Sequence, residues 1–241
     1  MYTLRSAVRT SLLLASMFLA TGAANAVVVT GTSNGSFSNI ASCNGDNCRL
    51  NNTSNGNNTQ LEWGYTNGLF GIGATPGSTL TAVDRNWNVN TNANDVVLAE
   101  LSWLNRATNS NVTPNAFNAL YTLGIAFTSP NASGDTEVFN LGITSPTNPP
   151  GDAISGLMMA DLSNLVFNLN GVTISDLKYS LFSGAGSAFN SNVWSNPEGV
   201  TSRLFITADF TTTPVPEPAS LALLGAGLIG VGALRRRQQR K

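Results

Sequence analysis

Ala119-Leu120-Tyr121-Thr122-Leu123-Gly124-Ile125-Ala126-Phe127-Thr128 is the stretch that indicates the fold. Large apolar residues occupy the odd positions from Tyr121 to Phe127, and threonine, glycine and alanine occupy the even positions between them. Side chains alternate between the two faces of a β-strand, so the pattern predicts a strand with one face in a hydrophobic core. Pro130 then ends the run, because proline lacks the N–H that a central strand needs.

Similar short runs recur along the body, and helical periodicity is scarce. Asn170-Gly171 lies between two strand-like arms within Val166–Ile174, which predicts a hairpin. A single helical turn is predicted at Thr113–Ala119, where Thr113 could cap and Pro114 could start it. Further strands are predicted at Val27–Thr30, Leu61–Gly64, Thr79–Val83, Val96–Leu104, Phe139–Ile143, Lys178–Phe182 and Leu204–Phe210. Such a series of short strands predicts an all-β fold, either an antiparallel β-sandwich or a jelly roll.

Residues 27–213 are predicted to form one domain, which is long enough to bury a substantial core. They contain five basic residues against twelve acidic ones, a net charge of −7. This charge argues against binding nucleic acid, which depends on neutralising phosphates. The chain has no histidine, which excludes Ser-His-Asp and Cys-His nucleophiles as well as His-ligated zinc.

Cys43 and Cys48 are the two cysteines of the chain, separated by a turn-forming Asn-Gly-Asp-Asn tetrapeptide. In an oxidising compartment a disulfide between them is expected. The alternative, a redox or metal-binding pair, lacks further ligands because there is no third cysteine and no histidine.

Paired carboxylates are the remaining catalytic option, because a glycosidase needs two acids at a suitable separation. Glu62 and Glu100 are the candidates, since each lies in a strand-like run close to a tryptophan. The favoured interpretation is that both carboxylates point to solvent, and no enzymatic activity is expected.

Asp84 to Asp95 place an oxygen-bearing side chain at almost every second position. Asp84, Asn86, Asn88 and Asp95 match positions one, three, five and twelve of an EF-hand loop, so Ca²⁺ is the cofactor considered. Position six is Val89 where the loop requires glycine, and position twelve is Asp95 where a bidentate glutamate is usual. We therefore favour an exposed strand face or a loop over a calcium site, and expect no cofactor.

Four tryptophans could stack on sugar rings or could belong to the core. Trp63 and Trp103 lie in apolar runs and are predicted to be buried. Trp87 and Trp194 have polar neighbours, so they are the candidates for glycan stacking at the surface.

Residues 1–26 have the features of a secretory signal peptide. Arg5 and Arg9 precede an apolar run from Leu12 to Ala20, and Ala24-Asn25-Ala26 offers a small-residue cleavage site. The expected partner of this segment is a Sec-type translocase, with cleavage after Ala26.

Residues 214–241 combine Val215-Pro216-Glu217-Pro218, an apolar run and a basic cluster that starts at Arg235. The apolar run, Ala219–Leu234, would span roughly 24 Å as a helix, less than the ~30 Å hydrocarbon core of a bilayer. Basic residues immediately after it predict a cytoplasmic C-terminus and a body outside the membrane.

This tripartite tail resembles the PEP-CTERM sorting signal of exosortase-processed bacterial proteins, with Pro216-Glu217-Pro218 as its signature. The resemblance implies processing by an exosortase-like enzyme and a transient inner-membrane stage through the C-terminal transmembrane helix. It then implies delivery to the outer surface or extracellular matrix of a Gram-negative bacterium. An exopolysaccharide is an implied partner there.

The body is similar to choice-of-anchor K and Thr-His-x-Asn type domains. The similarity rests on Leu61–Gly64, Leu120–Phe127, Phe167–Val172 and Arg203–Asp209. Leu101-Ser102-Trp103-Leu104-Asn105 stands where those domains have Thr-His-x-Asn, so a role for that histidine does not carry over. Together the features predict a non-catalytic structural protein of the surface or biofilm matrix, or alternatively a carbohydrate-binding or calcium-dependent adhesion module.

Overall fold

The computed structural model describes residues 26–43, 47–51, 59–67, 73–107, 116–145, 151–182 and 184–213, with 225, 227–229 and 236 of the tail. The described body is built almost entirely of β-strands. The elements are β1 Val28–Ala41, β2 Cys48–Asn51, β3 Gln60–Trp63, β4 Ser78–Val83, β5 Arg85–Asn90, β6 Ala93–Leu104, β7 Ala116–Ser129, β8 Ser133–Thr144, β9 Asp152–Ser155, α1 Met159–Leu162, β10 Val172–Phe182, β11 Ala188–Asn190, β12 Val193–Asn196 and β13 Thr201–Thr212.

The strands form two sheets in which every pair of neighbours is antiparallel. The first sheet has seven strands in the order β11-β12-β9-β8-β7-β1-β5, and the second has six in the order β10-β13-β6-β4-β3-β2. The longest pairing joins β7 to β8 from Ala116↔Thr144 to Phe127↔Ser133 without a break. The alternation that begins at Ala119 thus lies on a central strand of the first sheet.

Aromatic side chains fill the space between the sheets. Trp63 of the second sheet packs against Phe117 of the first with ring centroids 5.7 Å apart. Trp103 meets Trp194 edge-on at 5.2 Å, and Phe127 meets Phe210 at 6.0 Å. These contacts run the length of one continuous core. The prediction of an antiparallel β-sandwich is confirmed.

The predicted Asn-Gly hairpin is partly wrong. Asn170-Gly171 does form a turn, with Gly171 at φ +72° and a bridge between Leu169 and Val172. The arm before it, however, is not a strand. Side-chain oxygens take the place of a strand partner: Asp135 accepts from the Val166 N–H at 2.8 Å and Asn131 from the Asn170 N–H at 2.7 Å.

The predicted helical turn at Thr113–Ala119 is also wrong for its described residues. Ala116–Ala119 belong to β7, and Thr113–Asn115 lie outside the described residues. The described body instead has one short helix, α1, which the strand pattern did not indicate. It follows the glycine at 156, whose φ of +90° allows the sharp exit from β9.

Gly31 makes room for the indole of Trp87. β1 pairs with β5 so that Gly31 lies opposite Trp87. A Cβ atom at position 31 would lie 2.4 Å from the Trp87 ring and 2.6 Å from the Ala126 carbonyl oxygen. A methyl group therefore fits there only if the backbone or the indole moves.

We expect Gly31→Ala to lower the free energy of unfolding by about 1–3 kcal/mol, the usual range for overpacking a core. Thr32→Ala is the matched control, because Thr32 is the exposed neighbour on the same strand. Urea unfolding followed by tryptophan fluorescence measures both. Equal stability of the two variants would contradict the packing described for Trp87.

Candidate functional site

Glu62 is held by polar groups on the outer face of the six-stranded sheet. It lies on β3 opposite Arg49 of β2, and its side chain is 7% exposed. Arg49 donates from Nε to Oε2 at 2.7 Å, Asn51 donates to the same oxygen at 3.0 Å, and the Gly77 N–H donates to Oε1 at 3.2 Å. Burial raises the pKa of Glu62, but these hydrogen bonds outweigh it and hold the pKa below its ordinary value.

Glu100 is the second buried carboxylate on that face. It lies on β6, its side chain is 3% exposed, and it forms ion pairs with Arg85 and Arg203. Arg203 approaches from β13 with Nε 3.5 Å from Oε1, and Arg85 also lies over the ring of Phe205 at 5.8 Å. Both glutamates are on the outer face of the sheet, but arginines cover them, Arg49 and Arg203 from neighbouring strands and Arg85 from β5 of the other sheet. The prediction that both carboxylates point to solvent is therefore wrong.

The two glutamates do not converge on a common cleft. β4 separates their strands, and the register places Glu62 level with Leu104, four residues along β6 from Glu100. Strand spacing and rise then put the two Cα atoms roughly 15 Å apart. Glycosidases place their two carboxyl groups within about 10 Å of each other, so this pair does not form such a site.

The four predicted calcium ligands are divided between two sheets and the residue that joins β4 to β5. Asn86 and Asn88 are on the exposed face of β5, which follows Asp84 and forms the edge of the seven-stranded sheet. Alternate residues on a strand are about 6.6 Å apart, too far for Asp84, Asn86 and Asn88 to share an ion. Asp95 lies on β6 of the six-stranded sheet.

Asp95 instead belongs to a carboxylate cluster that the sequence did not reveal. One carboxylate oxygen from each of Asp95, Asp176 and Asp209 lies within 4.8 Å of the other two. Lys178 Nζ lies 2.9 Å from Asp95 and 2.5 Å from Asp176. Hydrogen bonds to Asp176 and Asp95 raise the pKa of Lys178, so the lysine supplies positive charge to the cluster.

The tryptophans chosen for glycan stacking are in the core. Trp194 is fully buried and Trp87 is 6% exposed. The prediction of surface exposure is wrong for both, because the polar residues beside a strand tryptophan point to the opposite face. Trp63 and Trp103 are buried as predicted.

The Cys43–Cys48 disulfide is present, with Cα atoms 6.2 Å apart.

Asp152 is a buried acid that sequence reasoning missed. It begins β9, is 2% exposed, and accepts a hydrogen bond from Trp63 Nε1 at 3.2 Å. Burial raises its pKa to about 6; hydrogen bonds from Trp63 and Ser145 oppose the shift, and the charge of Glu198 adds to it. Nothing in a lone aspartate after Pro149-Pro150-Gly151 signals this environment.

A polar network lies beside Asp152 at the same end of the sandwich. Asn196 is the strand partner of Asp152 and donates to the Trp103 carbonyl oxygen at 3.1 Å. Asn105 donates to the Asn196 carbonyl oxygen at 2.7 Å and accepts from Ser78 at 3.0 Å. These buried amides bond to backbone groups of neighbouring strands, which fits a structural role.

The first and last residues of the body, Val27 and Thr213, lie at the same end of the sandwich. We call this the exit end and define it by the turns at 91–92, 130–132 and 168–171. Val27 and Thr91 exchange two hydrogen bonds, the Val27 N–H donating to Thr91 Oγ1 at 3.0 Å and the Thr91 N–H to the Val27 carbonyl at 2.8 Å. The Asn92 N–H donates to the Phe210 carbonyl at 2.5 Å, and the Thr213 N–H to the Gly171 carbonyl at 3.0 Å. The disulfide and Asp152 lie at the opposite end.

The predicted targeting segments lie largely outside the described residues. Ala24 and the rest of the predicted signal peptide before Ala26, and the motif Val215–Pro218, are not described. In the tail, residues 225, 227–229 and 236 are helical. Within the part of the chain that the structure describes, no helix has the length and apolar character needed to cross a membrane.

We expect the body to be more stable at pH 5 than at pH 7.5 as far as Asp152 is concerned. A folded-state pKa of about 6 lies above the unfolded value of about 3.9. The ionisation penalty is absent below the unfolded value, grows as the pH rises between the two values, and is complete above 6. At pH 7.5 it amounts to at most about 3 kcal/mol.

Asp152→Asn should remove this penalty while keeping an acceptor for Trp63 Nε1. Urea unfolding at pH 5 and pH 7.5 should show a gain at pH 7.5 that shrinks at pH 5. Asp84→Asn is the control, because Asp84 is exposed and no such difference is expected. A destabilised Asp152→Asn at pH 7.5 would show that the buried carboxylate is needed in its charged form.

Comparison with known proteins gives one family match and locates it in the tail. Residues 214–237 match the family model of the PEP-CTERM protein-sorting motif. No curated protein matches the chain. The similarity of the body to choice-of-anchor K domains stays a prediction. The chain thus carries a PEP-CTERM sorting motif in its tail, which indicates a protein that is exported and sorted by an exosortase to the cell surface or exterior of a Gram-negative bacterium.

Proposed function

We propose that this chain is a non-catalytic structural protein of the bacterial surface or biofilm matrix. The sorting motif at residues 214–237 carries the proposal, because it gives the destination independently of the body. In this proposal the leader is removed after Ala26, the apolar run 219–234 holds the chain in the inner membrane, and an exosortase-like enzyme then releases the body.

Several features of the body support a structural role over catalysis. The two strand glutamates, Glu62 and Glu100, are neutralised by arginines and do not line a shared cleft. Asp152, the described carboxyl group whose pKa is raised to about 6, is 2% exposed and so is shielded from a substrate. The disulfide pins the Cys43–Cys48 loop, which suits a protein that works outside the cell.

Fractionation of the source bacterium with and without its exosortase tests the destination and the processing together. With the enzyme, we expect the body in the surface or matrix fraction with an intact mass that lacks the leader and the basic tail. Without it, the unprocessed chain should remain in the inner membrane. A full-length chain in the cytosol of the unmodified bacterium would contradict the proposal.

One observation favours a second candidate function, contact with a polysaccharide. Phe182 is 68% exposed, and its ring lies 6.2 Å from that of Phe205 on the outer face of the six-stranded sheet. Arg203 lies directly opposite Phe182 on the neighbouring strand, with 52% of its side chain exposed. An aromatic ring beside a cation is suited to a sugar ring that carries a carboxylate.

If this surface binds glycan, Phe182→Ala should weaken retention of the purified chain on the exopolysaccharide of its source. Val193→Ala is the matched control, because Val193 is also an exposed apolar residue at 39%. Affinity electrophoresis through gels that contain the polysaccharide measures the change. Equal migration of the wild type and both variants would exclude this second function and leave the structural role unaffected.

A further inference from the structure

The linker between the body and the apolar run is short. Five residues, 214–218, separate Thr213 from Ala219, and three of them are prolines. A chain spans at most about 3.6 Å per residue, so five residues reach about 18 Å at most. A body attached to an inserted tail therefore cannot move far from the bilayer.

The position of Thr213 decides which part of the body lies near the bilayer. Thr213 is at the exit end, hydrogen-bonded to Gly171, and Val27 leaves from the same end. β7 contains 14 residues, so the two ends of the sandwich are about 40 Å apart. The linker is too short to bring the opposite end, which carries the disulfide, as close to the bilayer.

The surface of the exit end suits contact with lipid. Its three turns, at 91–92, 130–132 and 168–171, contain no charged residue. Charged groups lie beside them: Asp135 accepts from the Val166 N–H, and the cluster of Asp95, Asp176, Asp209 and Lys178 lies near the start of β6. Contact with the bilayer is therefore at the level of the lipid head groups, where charged side chains stay hydrated. Val28, which starts β1 at this end, is 43% exposed. Val166, two residues before the turn at 168–171, is 71% exposed.

We propose that the exit end rests on the outer surface of the inner membrane until the tail is cut, with Val28 and Val166 in the lipid interface. The proposal rests on the proposed function, because it requires the tail to be inserted. It also gives the sandwich a direction: the Cys43–Cys48 end points away from the membrane. A cut within residues 214–218 would then fall in the gap of at most about 18 Å between the body and the bilayer.

Site-specific labelling of the full chain tests the proposal. Val28→Cys, Val166→Cys and Val193→Cys each introduce one thiol for an environment-sensitive fluorophore, and Cys43 and Cys48 are bonded to each other. Val193 is the matched control, because it is an exposed valine on β12, toward the opposite end of the sandwich. The labelled chains are reconstituted into phosphatidylethanolamine–phosphatidylglycerol vesicles with and without head-group spin-labelled lipid.

Spin-labelled lipid should quench the probes at positions 28 and 166 and leave the probe at position 193 at its unquenched intensity. Equal quenching at all three positions, or no quenching in chains that float with the vesicles, would overturn this proposal but leave tail anchoring intact. Chains that do not float with the vesicles would overturn tail anchoring, and with it this inference. If the fluorescence of the probes at positions 28 and 166 changes only after an exosortase is added, the exit end contacts the enzyme and not the lipid, and the proposal is overturned.

Discussion

Aromatic contact between the two sheets is the interaction on which the rest of the structure depends. Trp63, Trp103 and Phe210 project from one sheet and meet Phe117, Trp194 and Phe127 of the other. Each contact removes a large apolar area from water and fixes how two strands far apart in sequence face each other. Most body strands are alternating segments with one apolar face, and that face is satisfied only by the opposite sheet.

The aromatic core also determines where charge can lie. Because the inner faces are largely apolar, Glu62 and Glu100 face outward, and there arginines from adjacent strands and from β5 cover them. A carboxylate that is both shielded and paired with arginine is a poor proton donor or acceptor for a substrate. Asp152 shows the opposite case, because its carboxyl group lies on the inner side without an arginine partner among the described residues. It accepts a hydrogen bond from Trp63, and burial raises its pKa.

Sequence alone could predict the sandwich, because alternation records which face of a strand is buried. It could not predict that Trp87 is buried. Asn86 and Asn88 beside it lie on the exposed face of the strand, while Gly31 on another strand makes room for the indole on the buried face. The prediction of a strand at Val166 was wrong for a similar reason. The Val166 N–H donates to a side chain, that of Asp135, from another part of the chain and not to a neighbouring strand. Contacts of this kind depend on register between strands, which local patterns do not encode.

Charge is divided between the body and the segments that direct it. Seven of the twelve basic residues lie in residues 1–26 and 214–241, so the whole chain has a net charge of −1 and the body alone has −7. Removal of both segments therefore converts a nearly neutral chain into an acidic domain. Like charges repel, so the released body gains solubility and weakens its attraction to anionic lipid. In the proposed membrane-anchored state the short linker acts in the opposite direction, since it would hold the exit end near the bilayer whatever the charge. In the proposed processing, the cut in the tail would free the body and, because it also removes five basic residues, favour its departure from the membrane.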